Sequence, residues 1–401
     1  MLIIDIYYEF QLLQNKMAFN KLPVYILFFI VTRIEIIWGD NITTSIKTLS
    51  ESCYKSLAKE DNLIFSPFSV HAILSLVYEA ASGKTASHLQ EVLNLPNAKK
   101  TADDYKAILD NLNSTEKITI NLANKIYLPN NFKLKSKFRW TAKAYFNAGV
   151  ENISFTNSDA AAENINNWVN EKTNNKIQQI FNANDFNDQT KGILLSAIYF
   201  KGNWSYSFAK AMTYTEKFYI SKTKSISHPM MHMTAPFGYM ENAELDSKIL
   251  KMDYGNKRFA MYIILPNARM GIKNLEKKLS SLDVNHLQLS MMKKVEVAIP
   301  KFKIQSTSEL SRPLQKIGLG DIFSGNANFS KMIEAEQGLK FQKVIQKAFI
   351  EVDEEGTEAA AATGAVVSFI ADHPFVFYIT FEGAHPAKAI LFVGKVVEPH
   401  Y

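Results

Sequence analysis

The most constraining stretch of this chain is the apolar run from Ile193 to Phe200, Ile-Leu-Leu-Ser-Ala-Ile-Tyr-Phe. A half-exposed strand alternates apolar and polar residues, whereas this run is almost unbroken, which is typical of a central strand covered on both faces. A chain that contains such a strand must build packing on each side of a sheet. The 401 residues are 47% apolar and 21% charged, so the chain can supply that core and does not have the composition of a disordered protein.

An apolar segment near the N-terminus predicts a secretory signal. The residues from Leu22 to Val31 carry no charge, follow Lys21 and precede Arg33. The run is too short to span a bilayer comfortably, and Gly39 supplies a small residue of the kind found near cleavage sites. We predict that residues 1–39 are a signal peptide with an N-terminal extension, and that the protein is secreted and extracellular.

Secretion brings N-linked glycosylation into consideration, because Asn-X-Ser/Thr sequons accept glycans. Five asparagines open such a sequon: Asn41, Asn113, Asn152, Asn203 and Asn328. Sequons also arise by chance, and Asn203 lies beside Trp204, which we expect to be buried. We therefore predict a glycoprotein in which only some of the five sites are used.

Cys53 is the only cysteine, so no intramolecular disulfide can form and the core must hold the fold together. It lies in a predicted amphipathic helix over residues 43–60, on one stripe with Ile46, Leu49 and Leu57. This position favours a small buried apolar side chain over a reactive thiol.

The charge of the chain gives little support for binding to nucleic acid or membranes. The net charge is +6, and the basic residues are scattered. Lys99, Lys100 and Lys106 come nearest to a basic patch, in a predicted helical region. A glycosaminoglycan could bind there, although a solvated helix face is the more common meaning of such spacing.

No arrangement of residues predicts catalysis, a cofactor or a metal site. The chain lacks a Gly-X-Ser-X-Gly turn, and Gly318-Leu-Gly320 lacks the third glycine of a dinucleotide loop. His228 and His232 are four residues apart, a spacing that suits a metal on a helix, but Pro229 follows the first histidine. We predict that the protein is not an enzyme.

Residues 351–371 contain an abrupt change of composition. The acids Asp353 to Glu355 lead into Gly356, and four alanines follow before Gly364. Read with a period of two, small residues fall on one face and the single charge, that of Glu358, falls on the other. The segment could lie inside a sheet without burying a charge, or stay outside as a loop solvated by its acids. A segment with two positions is the physical basis of a switch, and a plain surface linker is the alternative.

This segment resembles the reactive-centre hinge of the serpins, a family of serine-protease inhibitors. The match is continuous over Glu354, Glu355, Gly356, Thr357, Glu358, Ala359, Ala360, Ala361, Ala362 and Thr363. Further blocks resemble the family in the same order, at residues 62–77, 192–204, 373–379 and 390–399. Several ordered blocks are far more specific than any single motif, and together they cover about residues 43–399.

The resemblance implies an α+β fold with about nine helices around three β-sheets and a mobile reactive-centre loop. Residues 40–401 would form this single domain. Residues 160–181 have a clear helical pattern, and the resemblance places that helix across the front of the main sheet. Residues 118–128 alternate enough to be a strand.

The resemblance also implies a region where the main sheet opens. Ser66 and Ser69 would lie under that point, and Trp204 would stand at the top of the sheet. The family commonly has Asn and His where this chain has Ser196 and Gln346. Because an unpaired buried polar atom costs roughly 1–3 kcal/mol, we hypothesise that these two residues close a hydrogen-bond network with the two serines.

The function implied by the resemblance is suicide inhibition of a serine protease. The protease would attack the loop and form a covalent acyl-enzyme, and the cleaved loop would insert as a new central strand. Gly356 would permit the turn, and the small residues Ala359 to Ala362 would permit rapid entry. A monomeric inhibitor is expected.

The length of the loop departs from the family pattern. Counting forward from Gly356 places the reactive bond between Ile370 and Ala371, whereas counting back from Pro374 places it near Thr363. The counts differ by about seven residues, or ~23 Å of extended chain. Either the loop is short, as in a non-inhibitory variant, or a segment is absent from this sequence.

The target protease is constrained only weakly. No Arg or Lys lies between Glu358 and Ala371, so this segment has no residue to fill the specificity pocket of a trypsin-like protease. Phe369 and Ile370 would suit chymotrypsin-like or elastase-like pockets if they lie on the loop. The alternative function is a non-inhibitory serpin that carries a ligand or serves in storage or as a chaperone.

Overall fold

The structure is a computed structural model, and it describes residues 42–59, 61–113, 118–255, 257–287, 289, 292–334, 338–358, 366–382 and 388–401. The predicted signal peptide, the sequon at Asn41 and the hinge residues Ala359 to Thr363 lie outside this part of the chain. The remaining predictions can be compared with observed elements.

Eight α-helices occur in the described residues, close to the number expected. They are α1 (42–57), α2 (Pro67–Ala80), α3 (Gly83–Val92), α4 (Ala98–Asn113), α5 (Ser136–Phe146), α6 (Ser158–Lys172), α7 (Ile272–Lys278) and α8 (Ser311–Lys316). Across these helices, none combines the length and apolar character needed to cross a bilayer.

Sixteen strands complete the described structure. They are β1 (Leu63–Phe65), β2 (Ile118–Pro129), β3 (Ala148–Ile153), β4 (Gly192–Gly202), β5 (Trp204–Tyr206), β6 (Thr213–Tyr219), β7 (Ser225–Asn242), β8 (Ser247–Asp253), β9 (Phe259–Pro266), β10 (Met292–Pro300), β11 (Phe302–Glu309), β12 (Phe341–Val352), β13 (Gly356–Glu358), β14 (Val366–Ile370), β15 (Phe375–Phe381) and β16 (Ala389–Val396).

The strands form three sheets in the described part of the chain, as expected. A nine-stranded sheet has the order β1-β16-β15-β9-β8-β7-β10-β14, with β6 paired to β7. A five-stranded sheet has the order β11-β12-β4-β2-β3, and β13 pairs with β5 in the third. The protein therefore combines helices with mixed β-sheets and belongs to the α+β class.

The five-stranded sheet has β4 at its centre, where the apolar run Ile193 to Phe200 predicted a strand covered on both faces. Alternate side chains of β4 enter two cores. Leu194 and Ile198 belong to the large core, whereas Leu195 and Tyr199 pack in a second core together with residues of α6. The helix on the front of the sheet therefore supplies the second cover.

Helix α6 is shorter than the predicted span of 160–181. It ends at Lys172, and Asn174 and Asn175 follow with φ angles of 51° and 59°. Asparagine tolerates this left-handed conformation better than most residues, and a helix cannot continue through it. The apolar residues beyond, such as Ile177, are still buried, which explains why the pattern looked helical.

Burial holds the side chains of Cys53 and His71 neutral in the core. Burial raises the pKa of the Cys53 thiol to about 12, consistent with the predicted apolar role. His71 in α2 is completely buried, and burial lowers its pKa to about 4. Its Nδ1 atom contacts the hydroxyl of Tyr105 in α4, and its Nε2 atom lies 2.8 Å from the Ser45 hydroxyl in α1. Neutral His71 thus joins three helices.

We expect stability to fall as the pH drops from the ordinary histidine pKa of 6.5 towards 4. In the unfolded chain His71 takes up a proton below pH 6.5, whereas in the folded protein it resists protonation until about pH 4. Protonation therefore stabilises the unfolded state relative to the folded state. The full loss is roughly 3 kcal/mol, at about 1.36 kcal/mol per pH unit. Thermal unfolding midpoints recorded at successive pH values would measure it.

The control for this prediction is His88, which is partly exposed and lies outside the core. His88→Gln should keep the pH dependence, whereas His71→Gln should lower stability near neutral pH and flatten the slope. An unchanged slope in His71→Gln would show that other groups cause the pH dependence.

Candidate functional site

The candidate site begins at the seam, the line along which β4 and β12 pair. The two strands run parallel from Phe341 beside Gly192 to Ile350 beside Phe200. Their other neighbours, β2 and β11, pair with them in antiparallel fashion. A strand that turned back from the end of β12 and entered the seam could therefore pair with both β4 and β12 in antiparallel fashion.

A row of polar side chains crosses the sheet at the middle of the seam. Gln346 of β12 lies beside Ser196 of β4, and Ser196 lies beside Asn124 of β2. All three are at most 2% exposed, so each must find its hydrogen bonds inside the protein. The first turn of α2 lies against this row.

Gln346 binds the backbone at the start of α2. Its Oε1 atom accepts from the Ser66 amide at 2.7 Å, and its Nε2 atom donates to the Ser66 carbonyl at 2.9 Å. Its Nε2 atom also lies 3.4 Å from the Ser196 hydroxyl. The glutamine thus satisfies the Ser66 amide, which would otherwise be buried without a partner, and adds a second bond to the Ser66 carbonyl, which also accepts from the Val70 amide at 3.3 Å.

Ser69 binds the other side of the row. Its hydroxyl lies 2.6 Å from that of Ser196 and donates to the Asn124 side chain at 3.2 Å. Asn124 returns a bond to the Ser69 carbonyl at 3.2 Å, and the Ser66 hydroxyl caps α2 by accepting from the Ser69 amide. We call Ser66, Ser69, Asn124, Ser196 and Gln346 the seam network. It contains the four residues of the hypothesised network.

Sequence reasoning missed Asn124. The predicted strand over residues 118–128 contained it, but an asparagine in an alternating strand reads as exposed. The available signal was its register: Asn124 shares a face with Leu122 and Ile126, and Ile126 is buried in the large core. A polar side chain on such a face requires a partner.

Trp204 holds the segment that leaves β12, at the top of the sheet. The indole is 2% exposed, stacks on Tyr254 at 4.4 Å between ring centroids, and donates from Nε1 to the Asp353 carbonyl at 2.9 Å. The backbone amide of Trp204 donates to the Glu355 carbonyl at 2.9 Å, and that of Phe208 to the Glu354 carbonyl at 3.1 Å. Trp204 therefore lies where the resemblance placed it.

The hinge acids form ion pairs with lysines at this end of the sheet. Lys201 lies 2.9 Å from Asp353 and 3.1 Å from Glu355, and Lys301 lies 2.8 Å from Glu354. Asp353 and Glu354 are 8% and 7% exposed. The expectation that these acids only solvate the hinge was therefore wrong for two of the three, because lysines distant in sequence neutralise them.

The ion pairs also shift pKa values. Burial acts to lower the pKa of Lys201, but the hydrogen bonds to Asp353 and Glu355 outweigh it and raise the pKa. Burial acts to raise the pKa of Glu354, and the hydrogen bond from Lys301 outweighs it, so this pKa lies below its ordinary value. Both groups remain charged near neutral pH. We call Lys201, Trp204, Lys301 and residues 353–355 the hinge clamp.

Gly356 is required by close packing. It pairs with Trp204, and a Cβ atom at this position would lie 2.5 Å from the Cα atom of Ser207. Any other residue would push the hinge away from β5. Thr357 and Glu358 continue from it along β13.

The candidate reactive bond between Ile370 and Ala371 is not on a loop, so this placement was wrong. Ile370 ends β14, which pairs with β10, and the Ala371 amide donates to the Ala298 carbonyl at 2.8 Å. Phe369 and Ala371 are fully buried. A protease cannot reach this bond in the folded protein. The position given by the count back from Pro374, near Thr363, lies outside the described residues.

Two of the predicted sequons are partly exposed in the described structure, at Asn203 and Asn328. Asn113 ends α4. The Asn152 amide donates both hydrogens to backbone carbonyls, to Pro129 at 3.0 Å and to Phe132 at 2.8 Å. A glycan on that nitrogen would remove one of these bonds, which disfavours Asn152.

The predicted basic patch lies on α4, and acids neutralise much of it. Lys100 pairs with Asp104 and Lys106 with Asp110, each one turn along the helix. Only Lys99 is left without an ion pair in this part of the described structure. The patch thus resembles a solvated helix face.

His228 and His232 lie on strand β7 with separate surroundings. His228 donates from Nε2 to the Lys301 carbonyl at 2.6 Å, and His232 stacks on Tyr214 at 4.2 Å. Among the residues that the structure describes, no group of three or more His, Cys, Asp or Glu side chains is placed to hold a metal ion.

Comparisons with known proteins agree with this geometry. A family model described as Serpin (serine protease inhibitor) matches residues 44–399. Serine protease inhibitor 42Dd of Drosophila melanogaster is 35% identical over 364 residues, covering 87% of this chain and 95% of its own. Antichymotrypsin-2 of Bombyx mori is 33% identical over 335 residues, covering 80% and 89%. The crystal structure of Serpin48 from the insect Tenebrio molitor has a TM-score of 0.81 at 33% identity, covering 90% and 99%.

The chain belongs to the serpin family. Its structural likeness to Serpin48 confirms the expected serpin fold. Serpins are in general protease inhibitors and not enzymes, so the family match and the inhibitors among its relatives support protease inhibition in general.

Loss of the glutamine in the seam network should destabilise the protein. Gln346→Leu fills similar space but leaves the Ser66 amide without a partner, at a cost of roughly 1–3 kcal/mol. The Ser66 carbonyl loses the bond from Gln346 but keeps the one from the Val70 amide. Urea unfolding monitored by circular dichroism would measure the change.

Gln342→Leu is the matched control, because Gln342 lies on the same strand and is exposed. Surface substitutions usually change stability by about 0.5 kcal/mol or less. Equal effects of the two substitutions would mean that the seam network contributes nothing specific.

The hinge clamp should open when its lysine is removed. Lys201→Met deletes the partners of Asp353 and Glu355, so the amides of Trp204 and Phe208, which donate to the hinge, should exchange hydrogen faster. Mass spectrometry of peptides covering residues 203–208 would detect this change. Lys217→Met on exposed β6 should leave the exchange rate unaltered, and equal exchange in both variants would count against the clamp.

Proposed function

We propose that the protein is a secreted, glycosylated inhibitor of serine proteases that acts by suicide cleavage. The protease would attack the loop after the hinge and form a covalent acyl-enzyme. The cleaved hinge would then enter the seam as a new strand and displace the protease from its working geometry. A monomer suffices for this mechanism.

The seam supports this proposal more than any other observation. The strands β4 and β12 form a parallel pair between antiparallel neighbours, and the hinge leaves β12 directly beside this pair. A strand that turned back from β12 would pair in antiparallel fashion with both β4 and β12. It would exchange one parallel ladder for two antiparallel ladders, which are slightly more stable per residue.

The loop is short but long enough to reach the seam network. Thirteen residues, 353–365, connect β12 to β14. If Thr357 entered beside Phe200, Ala361 would arrive beside Ser196, and Thr363 would lie two residues further. Seven inserted residues span ~23 Å, against ~30 Å for the part of β4 that pairs with β12, Gly192 to Phe200. Insertion over about three quarters of the seam is therefore what this loop allows.

The reactive bond proposed from this geometry lies near Thr363, before the paired strand β14. The residues around that position are small and uncharged. A small specificity pocket of the elastase type accepts such side chains. Bombyx mori antichymotrypsin-2, one of the relatives, keeps a chymotrypsin-like target as the second possibility.

The test is to mix the secreted protein with elastase, chymotrypsin and trypsin and to separate the products on denaturing gels. A covalent band with the combined mass of both proteins is expected with elastase, and mass spectrometry of the released peptide would locate the bond. Cleavage by all three proteases without such a band, and without a rise in thermal stability, would favour a non-inhibitory serpin.

A pair of arginine substitutions separates insertion from recognition. Thr357→Arg places a long charged side chain on the segment that must enter the seam, so the protein should become a substrate, cleaved with little covalent complex. Ser368→Arg adds the same side chain at an exposed position of β14, beyond the proposed bond, and should leave complex formation unchanged. Equal complex formation by both variants would contradict insertion.

A further inference from the structure

A cavity of about 520 Å³ lies apart from the seam network and the hinge clamp. The turn after β6, the start of α7 and the end of β16 surround it, and Lys59 stands at its edge. The volume falls within the range of roughly 300–1,000 Å³ that is usual for small-molecule sites. None of its lining residues belongs to the seam network or the hinge clamp, so any ligand it holds is independent of the proposed inhibition.

One part of the cavity lining is apolar. Ile220, Met270, Ile272, Pro374 and Val397 contribute side chains from four separate segments of the chain. Apolar lining of this kind favours a ligand with a hydrophobic body. Inorganic ions alone would leave this surface unused.

The charged part of the lining is strongly biased towards cations. It includes Lys59, Lys222, Arg269, Lys273 and Lys395, against Glu276 as the single acid. Such a cavity attracts anions and disfavours cations.

The acid of the cavity is already neutralised by a built arrangement. Lys395 is 2% exposed, lies 2.9 Å from Glu276 and donates to the Lys59 carbonyl. Tyr54 donates to the same carboxylate at 3.0 Å. The negative charge of Glu276 is therefore used inside the protein and is not presented to a ligand.

Two lysines at the cavity remain available for a ligand. Arg269 is engaged by Asp372 at 2.9 Å and packs on the Tyr219 ring at 3.8 Å. By contrast, Lys59 and Lys222 are exposed and form no ion pair with any described residue. Their ammonium groups stand beside an apolar surface.

We propose that this cavity binds a small amphipathic anion, a carboxylate carried on an apolar body. The carboxylate would lie between Lys59 and Lys222, and the apolar body would cover Met270, Ile272 and Val397. The combination of an apolar wall with cations and a neutralised acid selects this class over inorganic anions and over amphipathic cations.

Isothermal titration calorimetry of the full-length protein with decanoate tests the proposal. We expect one site, and shorter straight-chain carboxylates should bind more weakly, by up to about fourfold for each methylene removed. Inorganic sulfate and decylammonium should show no comparable binding. Equal binding of decanoate and decylammonium, or affinity that does not change with chain length, would overturn the proposal.

A double variant tests the two lysines without disturbing the core. Lys59→Gln with Lys222→Gln should weaken decanoate binding about tenfold, because charge-assisted hydrogen bonds are lost. Lys224→Gln is the matched control, since Lys224 lies two residues away and pairs with Glu398 outside the cavity. Unchanged binding in the double variant, or an equal loss in the control, would refute the assignment.

Discussion

The parallel pairing of β4 with β12 is the interaction on which the rest of this structure depends. It brings two strands from distant parts of the chain to the centre of the sheet, and in the proposed mechanism a third strand would enter between them. A parallel pair is slightly weaker per residue than an antiparallel one, so the fold must secure the seam by other means. It does so with the seam network at its middle and the hinge clamp at its upper end.

The seam network and the hinge clamp hold the sheet through different interactions. The seam network consists of buried uncharged groups. Removing one partner destabilises the fold, because the remaining donor or acceptor stays buried with neither a protein partner nor water. The hinge clamp combines ion pairs at partly exposed lysines, which weaken with salt, with hydrogen bonds from Trp204 and Phe208 to the hinge carbonyls. Salt therefore weakens part of the hinge clamp, whereas the uncharged seam network does not depend on it.

Sequence reasoning succeeded where one local pattern sufficed. The run from Ile193 to Phe200 predicted the central strand because an apolar stretch of that length has few other structures. The network was expected from the resemblance to the family, which placed its serines and glutamine under one point of the sheet. The lysines that bind the hinge acids could not be predicted, since no spacing connects Lys301 to Glu354. The reactive bond was misplaced for a related reason: only the pairing of β14 with β10 shows that Ile370 is fixed in a sheet.

The position of α2 shows what holds the two sides of the seam together. Ser66 binds Gln346 on the β12 side, whereas Ser69, one turn later, binds Ser196 and Asn124 on the β4 side. The direct contact across the seam, from Gln346 to Ser196, is the longest of these at 3.4 Å. Separation of the strands therefore requires the first turn of α2 to give up its bonds to one side. In the proposed insertion, a strand of alanines would have no side chain to replace those bonds, so its backbone pairing on both edges would have to outweigh them.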